Sequence, residues 1–228
     1  MSRSAALIVA LVLPALAASA GRAAGPPCPE PEAARGALEV VPGNVVELVA
    51  AEPLVLDPVA ICWDAAGRLH VAEMADYPLG QGGGRIVRLD DDDGDGRPDR
   101  RTVLASGLPF PNSVLPWRGG LLVTSAPDVL WLHDGDGDGT WESRETVLTG
   151  VNPGNQQLRV NGLVAGPDGW VYAANGRSGG AVTAPRRPGD ALPIDRHDIR
   201  FRPDTGEVEA VAGFSQFGLA IDPFGERY

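Results

Sequence analysis

Residues 132–142 read Leu132-His133-Asp134-Gly135-Asp136-Gly137-Asp138-Gly139-Thr140-Trp141-Glu142, and residues 89–99 read Leu89-Asp90-Asp91-Asp92-Asp93-Gly94-Asp95-Gly96-Arg97-Pro98-Asp99. The two stretches lie 43 residues apart, and each follows a short apolar run. The match continues beyond them, because residues 103–108 (Val-Leu-Ala-Ser-Gly-Leu) answer residues 147–151 (Val-Leu-Thr-Gly-Val). A second series recurs at wider spacing. Asp57-Pro58-Val59-Ala60-Ile61 leads to a turn at Gly67 and on to Leu69-His70-Val71. Asn112-Ser113-Val114-Leu115 leads through Gly119 to Leu121-Leu122-Val123, and Asn161-Gly162-Leu163-Val164 leads through Gly169 to Trp170-Val171-Tyr172. Gln216-Phe217-Gly218-Leu219 begins a fourth copy. Each copy is an apolar strand, a glycine turn and a second apolar strand.

Repeats of 40 to 50 residues containing several short strands are the signature of β-propeller blades. The expected fold is therefore all-β: a partial β-propeller of about three blades and the start of a fourth. Propellers close as rings of four to eight blades, so the sequence reads as a fragment or a truncated product. A β-sandwich is the alternative, but its turns recur every 8–12 residues without such a long self-match.

The acidic loops also name a ligand. Asp at positions one, three and five aims three carboxylates at one centre, the following Gly allows a sharp turn, and later oxygens close the shell around Ca2+. In the first loop the expected ligands are Asp91, Asp93, Asp95, the Arg97 carbonyl and Asp99. In the second they are Asp134, Asp136, Asp138, the Thr140 carbonyl, Glu142 and, at position twelve, Glu145. The first loop has Thr102 at that position, so its site is expected to be weaker. The flanks alternate like strands, which excludes an EF-hand helix pair.

Composition sets outer limits. The 228 residues, 43% hydrophobic, suffice for one domain with a sizeable core. Thirty glycines and 21 prolines demand frequent turns. Net charge is -11, and all 19 basic residues are Arg without a basic stripe, so nucleic acid is excluded as a partner. Arg3, an apolar run over 5–17 and Ala18-Ser19-Ala20 read as a secretory signal peptide at 1–20. A Pro-rich linker follows at 21–37, and the partial propeller occupies 38–228. The apolar run is too short for an ordinary membrane span. The mature chain is thus expected in the periplasm or cell envelope, with no transmembrane span. Cys28 and Cys62 are isolated. They either pair, or Cys62 is a buried free thiol.

The repeat places a candidate site. Asp57, Asn112, Asn161 and Gln216 each head an innermost strand, so they are expected to gather near the mouth of the central channel. Gln156, Gln157 and Arg159 crowd the third of these. Asn and Asp there also suit plain turn capping. Glu73, Asp76 and Tyr77, like Asn175, Arg177 and Ser178, follow second strands.

Longer motifs carry a resemblance. They are Val71-Ala72-Glu73-Met74-Ala75-Asp76-Tyr77-Pro78, Asn155-Gln156-Gln157-Leu158-Arg159-Val160-Asn161-Gly162-Leu163, Ala174-Asn175-Gly176-Arg177-Ser178-Gly179-Gly180, Phe201-Arg202-Pro203-Asp204-Thr205-Gly206 and Ser215-Gln216-Phe217-Gly218. The chain from about Pro29 onward resembles the N-terminal domain of the membrane-bound dehydrogenase family of planctomycete-type bacteria. That family is distantly similar to the quinoprotein sugar dehydrogenases, which use pyrroloquinoline quinone (PQQ) and Ca2+. The resemblance implies oxidation of a small-molecule sugar or alcohol. It also implies a c-type cytochrome electron acceptor in longer members, which carry a C-x-x-C-H haem segment; this sequence has none.

The sugar dehydrogenases place a general-base His shortly before a strand like residues 166–172. Here Gln156-Gln157-Leu158-Arg159 has no His. His70, His133 and His197 read as structural. Two functions therefore compete. One is a dehydrogenase in which Glu73 or Asp57 takes the hydroxyl proton, with Arg159 and Arg177 neutralising an anion. The other is a non-catalytic, calcium-stabilised propeller that binds a glycan or a protein through its amides.

Overall fold

The computed structural model describes residues 29–228. The expected signal peptide at 1–20, Cys28 and the linker up to it lie outside the described residues. The chain divides into two compact units, Met1–Val46 and Glu47–Tyr228. In the first unit the linker is not wholly irregular. A six-residue helix, α1 (Pro31–Gly36), starts on Pro31 and carries an Arg35–Glu32 ion pair at 2.6 Å. Proline suits a first helical turn, where its missing N–H would have no partner anyway.

The second unit is all-β, with antiparallel pairing throughout and three sheets. Sheet 1 is a meander of β1 (Pro58–Trp63), β2 (Leu69–Met74), β3 (Gly84–Asp90) and β4 (Arg100–Leu108), in sequence order. Sheet 2 starts the same way, with β5 (Ser113–Trp117), β6 (Gly120–Ser125), β7 (Asp128–His133) and β8 (Ser143–Val151). Sheet 3 contains β9 (Asn161–Ala165), β10 (Val171–Ala174), β13 (Asp198–Arg202) and β14 (Glu207–Val211). Between β10 and β13 the chain leaves sheet 3 as a hairpin, β11 (Gly180–Ala184) and β12 (Arg187–Pro193). This hairpin pairs with β8, making sheet 2 six-stranded. In the fourth copy, only the bridge Ile221–Arg227 forms.

The repeated turns explain the pairing of each first and second strand. Asp64 accepts the N–H groups of Ala66 (2.9 Å) and Arg68 (3.0 Å), and Gly67 takes φ +79. Asp222 repeats this with Phe224 and Glu226, both at 2.9 Å. A carboxylate closing the turn and a Gly in the left-handed region are the two requirements of such a corner.

The sheets stack by their faces. Ile86, Leu104 and Leu108 of sheet 1 meet Leu121, Val123 and Leu132 of sheet 2. Leu122, Val129 and Leu148 of sheet 2 meet Val171, Ile199 and Phe201 of sheet 3. Adjacent residues Leu121 and Leu122 thus enter different cores, because side chains alternate across a strand. That is why β6 is buried along its whole length and reads as an uninterrupted apolar run. Each fully buried Leu contributes about 1.5–3 kcal/mol. Trp141, 7% exposed, reaches from the second acidic loop to stack on His70 of sheet 1, ring centroids 5.7 Å apart. The first strands β1, β5 and β9 lie side by side, and Leu163 N–H donates to Ser113 Oγ at 2.8 Å. Among the described residues no helix is long and apolar enough to cross a membrane.

Candidate functional site

The heads of β1, β5 and β9 open onto one cleft of about 680 Å3. Asp57, Asn112, Gln156, Gln157 and Asn161 line it, together with Tyr77 and Phe217. Val59, Ile61 and Met74 supply apolar wall. The residues come together because each precedes or begins a strand of the same rank in successive sheets. Asp57 stands just before β1 in the left-handed region, φ +46, and its carbonyl accepts Met74 N–H at 3.1 Å. Its carboxylate is exposed and is the one charged group of the lining.

Several polar groups of the cleft are committed to the fold. Asn161 donates to Arg159 O (2.9 Å) and Gln216 O (2.8 Å) and accepts Gly218 N–H (2.8 Å). It therefore fastens the fourth copy to β9. Asn112 Oδ1 accepts from Thr124 Oγ1 at 2.5 Å. Gln157 donates to Tyr77 Oη at 2.8 Å, and Gln156 to Pro78 O at 3.5 Å. The cleft presents hydrogen-bonding groups on an apolar wall with two exposed aromatic rings, Tyr77 at 43% and Phe217 at 67%.

Other expected residues lie elsewhere. Glu73 is fully buried, not in the cleft. Its Oε2 takes Arg101 at 2.6 Å and Arg85 at 3.2 Å, and its Oε1 takes Leu56 N–H at 2.9 Å. Both of its oxygens are thus engaged within the fold. Asn175 is fully buried and binds the chain returning from the hairpin. It donates to Ile194 O and His197 O, accepts Arg177 N–H (2.8 Å), and its own N–H goes to Asp198 (2.9 Å). Arg177 is exposed, with its guanidinium 5.7 Å from the Phe214 ring centre. Gln216 meets Asn161 through its carbonyl, and its neighbour Phe217 lines the cleft instead.

Arg159 is 5% exposed and has no carboxylate partner among the described residues. It donates to Pro153 O at 2.5 Å and packs 5.0 Å from the Phe110 ring centre, while Nε and Nη1 make no hydrogen bond. Burial lowers its pKa below the usual guanidinium value. It stands behind the cleft wall through Phe110, whose ring meets Tyr77 edge-on at 6.3 Å. Sequence reasoning missed the ring of Phe217. The only available signal was its place beside Gln216 in the fourth repeat.

The acidic loops are the β3–β4 and β7–β8 connections. Asp134, Asp136, Asp138 and Glu142 each offer an oxygen within 4.8 Å of the others, as do Asp91, Asp93 and Asp99. Asp134 accepts Gly137 N–H (2.6 Å) and Gly139 N–H (2.8 Å); Asp91 does the same with Gly94 (2.7 Å) and Gly96 (2.8 Å). Those backbone bonds, led by Gly139 and Gly96, hold both carboxyls below their ordinary pKa. Thr140 and Arg97 keep the expected seventh positions, their N–H groups bound by Asp138 (2.7 Å) and Asp95 (2.8 Å). Two expected ligands fall outside the groups. Asp95 is absent from the first. Glu145 sits on β8, paired with Arg186 at 2.6 Å and His133 at 3.4 Å. Hairpin formation captures Glu145 through Arg186, a contact 41 residues away that loop spacing does not reveal.

His70 is buried, and its Nε2 lies 3.1 Å from Asp64. Burial lowers its pKa despite that carboxylate. Cys62 is half-buried and has no disulfide partner among the described residues, and burial followed by nearby Asp64 pushes its thiol up to about 12. No curated protein matches the chain. Residues 30–228 match the model of a family described as Domain of unknown function (DUF7133), and the chain belongs to that family.

Proposed function

We propose that the three sheets are successive β-propeller blades and that the cleft at the heads of β1, β5 and β9 binds a carbohydrate. The observation that carries this reading is the lining. Exposed aromatic rings and apolar wall suit the C–H faces of a sugar, and Asp57 with the carboxamides suits its hydroxyls. The stacking of sheet faces and the adjacency of the first strands support the propeller reading. The proposal includes a location outside the cytoplasm, which the signal-like reading of residues 1–20 supports.

The proposal includes Ca2+ on both acidic loops. The donors are hard oxygens, and backbone N–H groups already hold the leading Asp of each loop in place. Two ionised carboxylates about 4 Å apart near a surface repel by roughly 4 kcal/mol, which a divalent cation reverses. Asp134, Asp136, Asp138 and Glu142 form the fuller set.

PQQ fits less well. It is a tricarboxylate, and the one charged lining residue is the acid Asp57. Arg159 lies behind the wall and Arg177 is outside the cleft. No step through the quinone follows from this arrangement. The oxidoreductase reading retains one favourable observation: Asp57 is an ionisable acceptor in the cleft, placed to take a hydroxyl proton from a bound sugar.

Titration calorimetry of the chain with neutral tetrasaccharides tests the binding reading. Saturable binding that weakens in Tyr77→Ala and Phe217→Ala is expected. Sugar-dependent dye reduction with added PQQ and Ca2+ would move the assignment to a dehydrogenase. Absence of sugar binding would sink the carbohydrate reading.

A further inference from the structure

Within the cleft, hydrogen-bonding capacity left over after folding is unevenly distributed. Gln156 and Gln157 use their amide nitrogens on Pro78 and Tyr77, which leaves their carbonyl oxygens as acceptors. Asn161 is satisfied on both sides of its amide. Ser113 Oγ already accepts Leu163 N–H. Among the described residues, Asp57 keeps a carboxylate that makes no hydrogen bond or ion pair, whereas Glu73 is held by two Arg and Asp64 by Arg68 and His70. Asn112 retains its amide nitrogen as a free donor, since its oxygen is used by Thr124. The free set is thus acceptor-rich and carries one negative charge. A non-Gly residue held at φ +46 is an unfavourable backbone state, costing about 1–3 kcal/mol, and such residues concentrate at ligand sites.

We infer that the cleft recognises a primary ammonium group on an otherwise uncharged sugar, which makes its ligand an amino sugar. This rests on the carbohydrate reading above and narrows it. A protonated amine has three N–H donors and no acceptor, so it matches a carboxylate plus carbonyl oxygens better than a hydroxyl does. The apolar wall accepts the ring, and no lining cation opposes the charge. Arg159 is separated from the cleft by the Phe110–Tyr77 pair.

The test compares three tetrasaccharides of one backbone by calorimetry: cellotetraose, with hydroxyl at C2; the glucosamine tetramer, with ammonium; and its fully N-acetylated form. The glucosamine tetramer is expected to bind about tenfold tighter than cellotetraose, the scale of one charge-assisted hydrogen bond. Asp57→Asn should abolish that preference, bringing the two affinities together. Asp190→Asn, an exposed acid on the hairpin, makes the same change in net charge and should leave the preference intact. Equal affinity for the first two sugars overturns the amine inference and leaves the carbohydrate reading standing. A preference that survives Asp57→Asn overturns it too, because the net charge of -11 would then be its source. If no tetrasaccharide binds, both readings fall.

Discussion

Glu73→Gln separates a structural role from a catalytic one. Glu73 is fully buried, and its Oε2 lies 2.6 Å from Arg101 and 3.2 Å from Arg85. Glutamine preserves shape and keeps one oxygen for Leu56 N–H. It removes the charge that both guanidinium groups face and turns an amide N–H2 toward them. Breaking one partner of a buried ion pair costs about 3–5 kcal/mol. Both Arg are partly exposed, at 19% and 28%, so solvent recovers some of that, and the low end, roughly 3 kcal/mol, applies. For a folded unit of this size, 1 kcal/mol moves Tm by about 2–4 °C, giving a fall of about 6–12 °C. Differential scanning calorimetry at pH 7 measures it, and calorimetric sugar titration below the new Tm gives the second readout. A large Tm loss with sugar affinity retained is expected. A Tm change under about 2 °C, on the scale of a surface pair, accompanied by lost binding or turnover would refute the structural assignment and return Glu73 to the site.

Calcium at 5 mM, about ten times a weak extracellular-type Kd, should stabilise the chain by about 1.4 kcal/mol per site relative to chelator. Asp134→Asn and Glu142→Gln should blunt the thermal shift, whereas Glu145→Gln should leave it unchanged, because Glu145 pairs with Arg186. His70 has a folded pKa below its unfolded value, so the unfolded chain binds more protons between the two. Its contribution is complete above the unfolded pKa and is lost as pH falls through the folded one. Chemical denaturation between pH 7 and 5 should show stability falling, with a shallower slope in His70→Phe. Burial holds the Cys62 thiol protonated near neutrality, so in a Cys28→Ser background iodoacetamide should label native chain at pH 8 far more slowly than urea-unfolded chain.

Much of the strand plan was readable because its signals are local. Asp64 and Gly67 spell a corner, and Leu121-Leu122-Val123 spells a strand buried on both faces. The heads of strands could be grouped around Asp57, Asn112 and Asn161 because repetition converts sequence spacing into spatial equivalence. Side-chain partners were less readable. Glu73 looks like a free acid after a strand until strand pairing sets Arg85 directly opposite it and β4 brings Arg101 to the same oxygen. Glu145 fits position twelve of a calcium loop until a hairpin from 41 residues later supplies Arg186. Asn175 looks like a site amide until the returning chain fills its hydrogen bonds. In each case a contact made only in the folded chain competes with a local motif, and the motif does not encode the competitor.

The β11–β12 hairpin ties the order of synthesis to the order of assembly. β8 is made well before β11, yet β11 supplies the partner for its outer edge. While residues up to 165 emerge from the ribosome, that edge carries unpaired N–H and C=O groups open to foreign strands. When β11 arrives it closes the edge, and β13 then continues sheet 3 beside β10. Sheets 2 and 3 are thereby tied together, since the hairpin that completes sheet 2 is inserted between β10 and β13 of sheet 3. Sheet 1 has no such inserted hairpin and meets sheet 2 through side-chain packing and the bond from Arg144 to Ser106 O. Amide exchange should register this as two tiers of protection, with β7, β8 and β10 opening together and β2 and β3 opening at lower free energy.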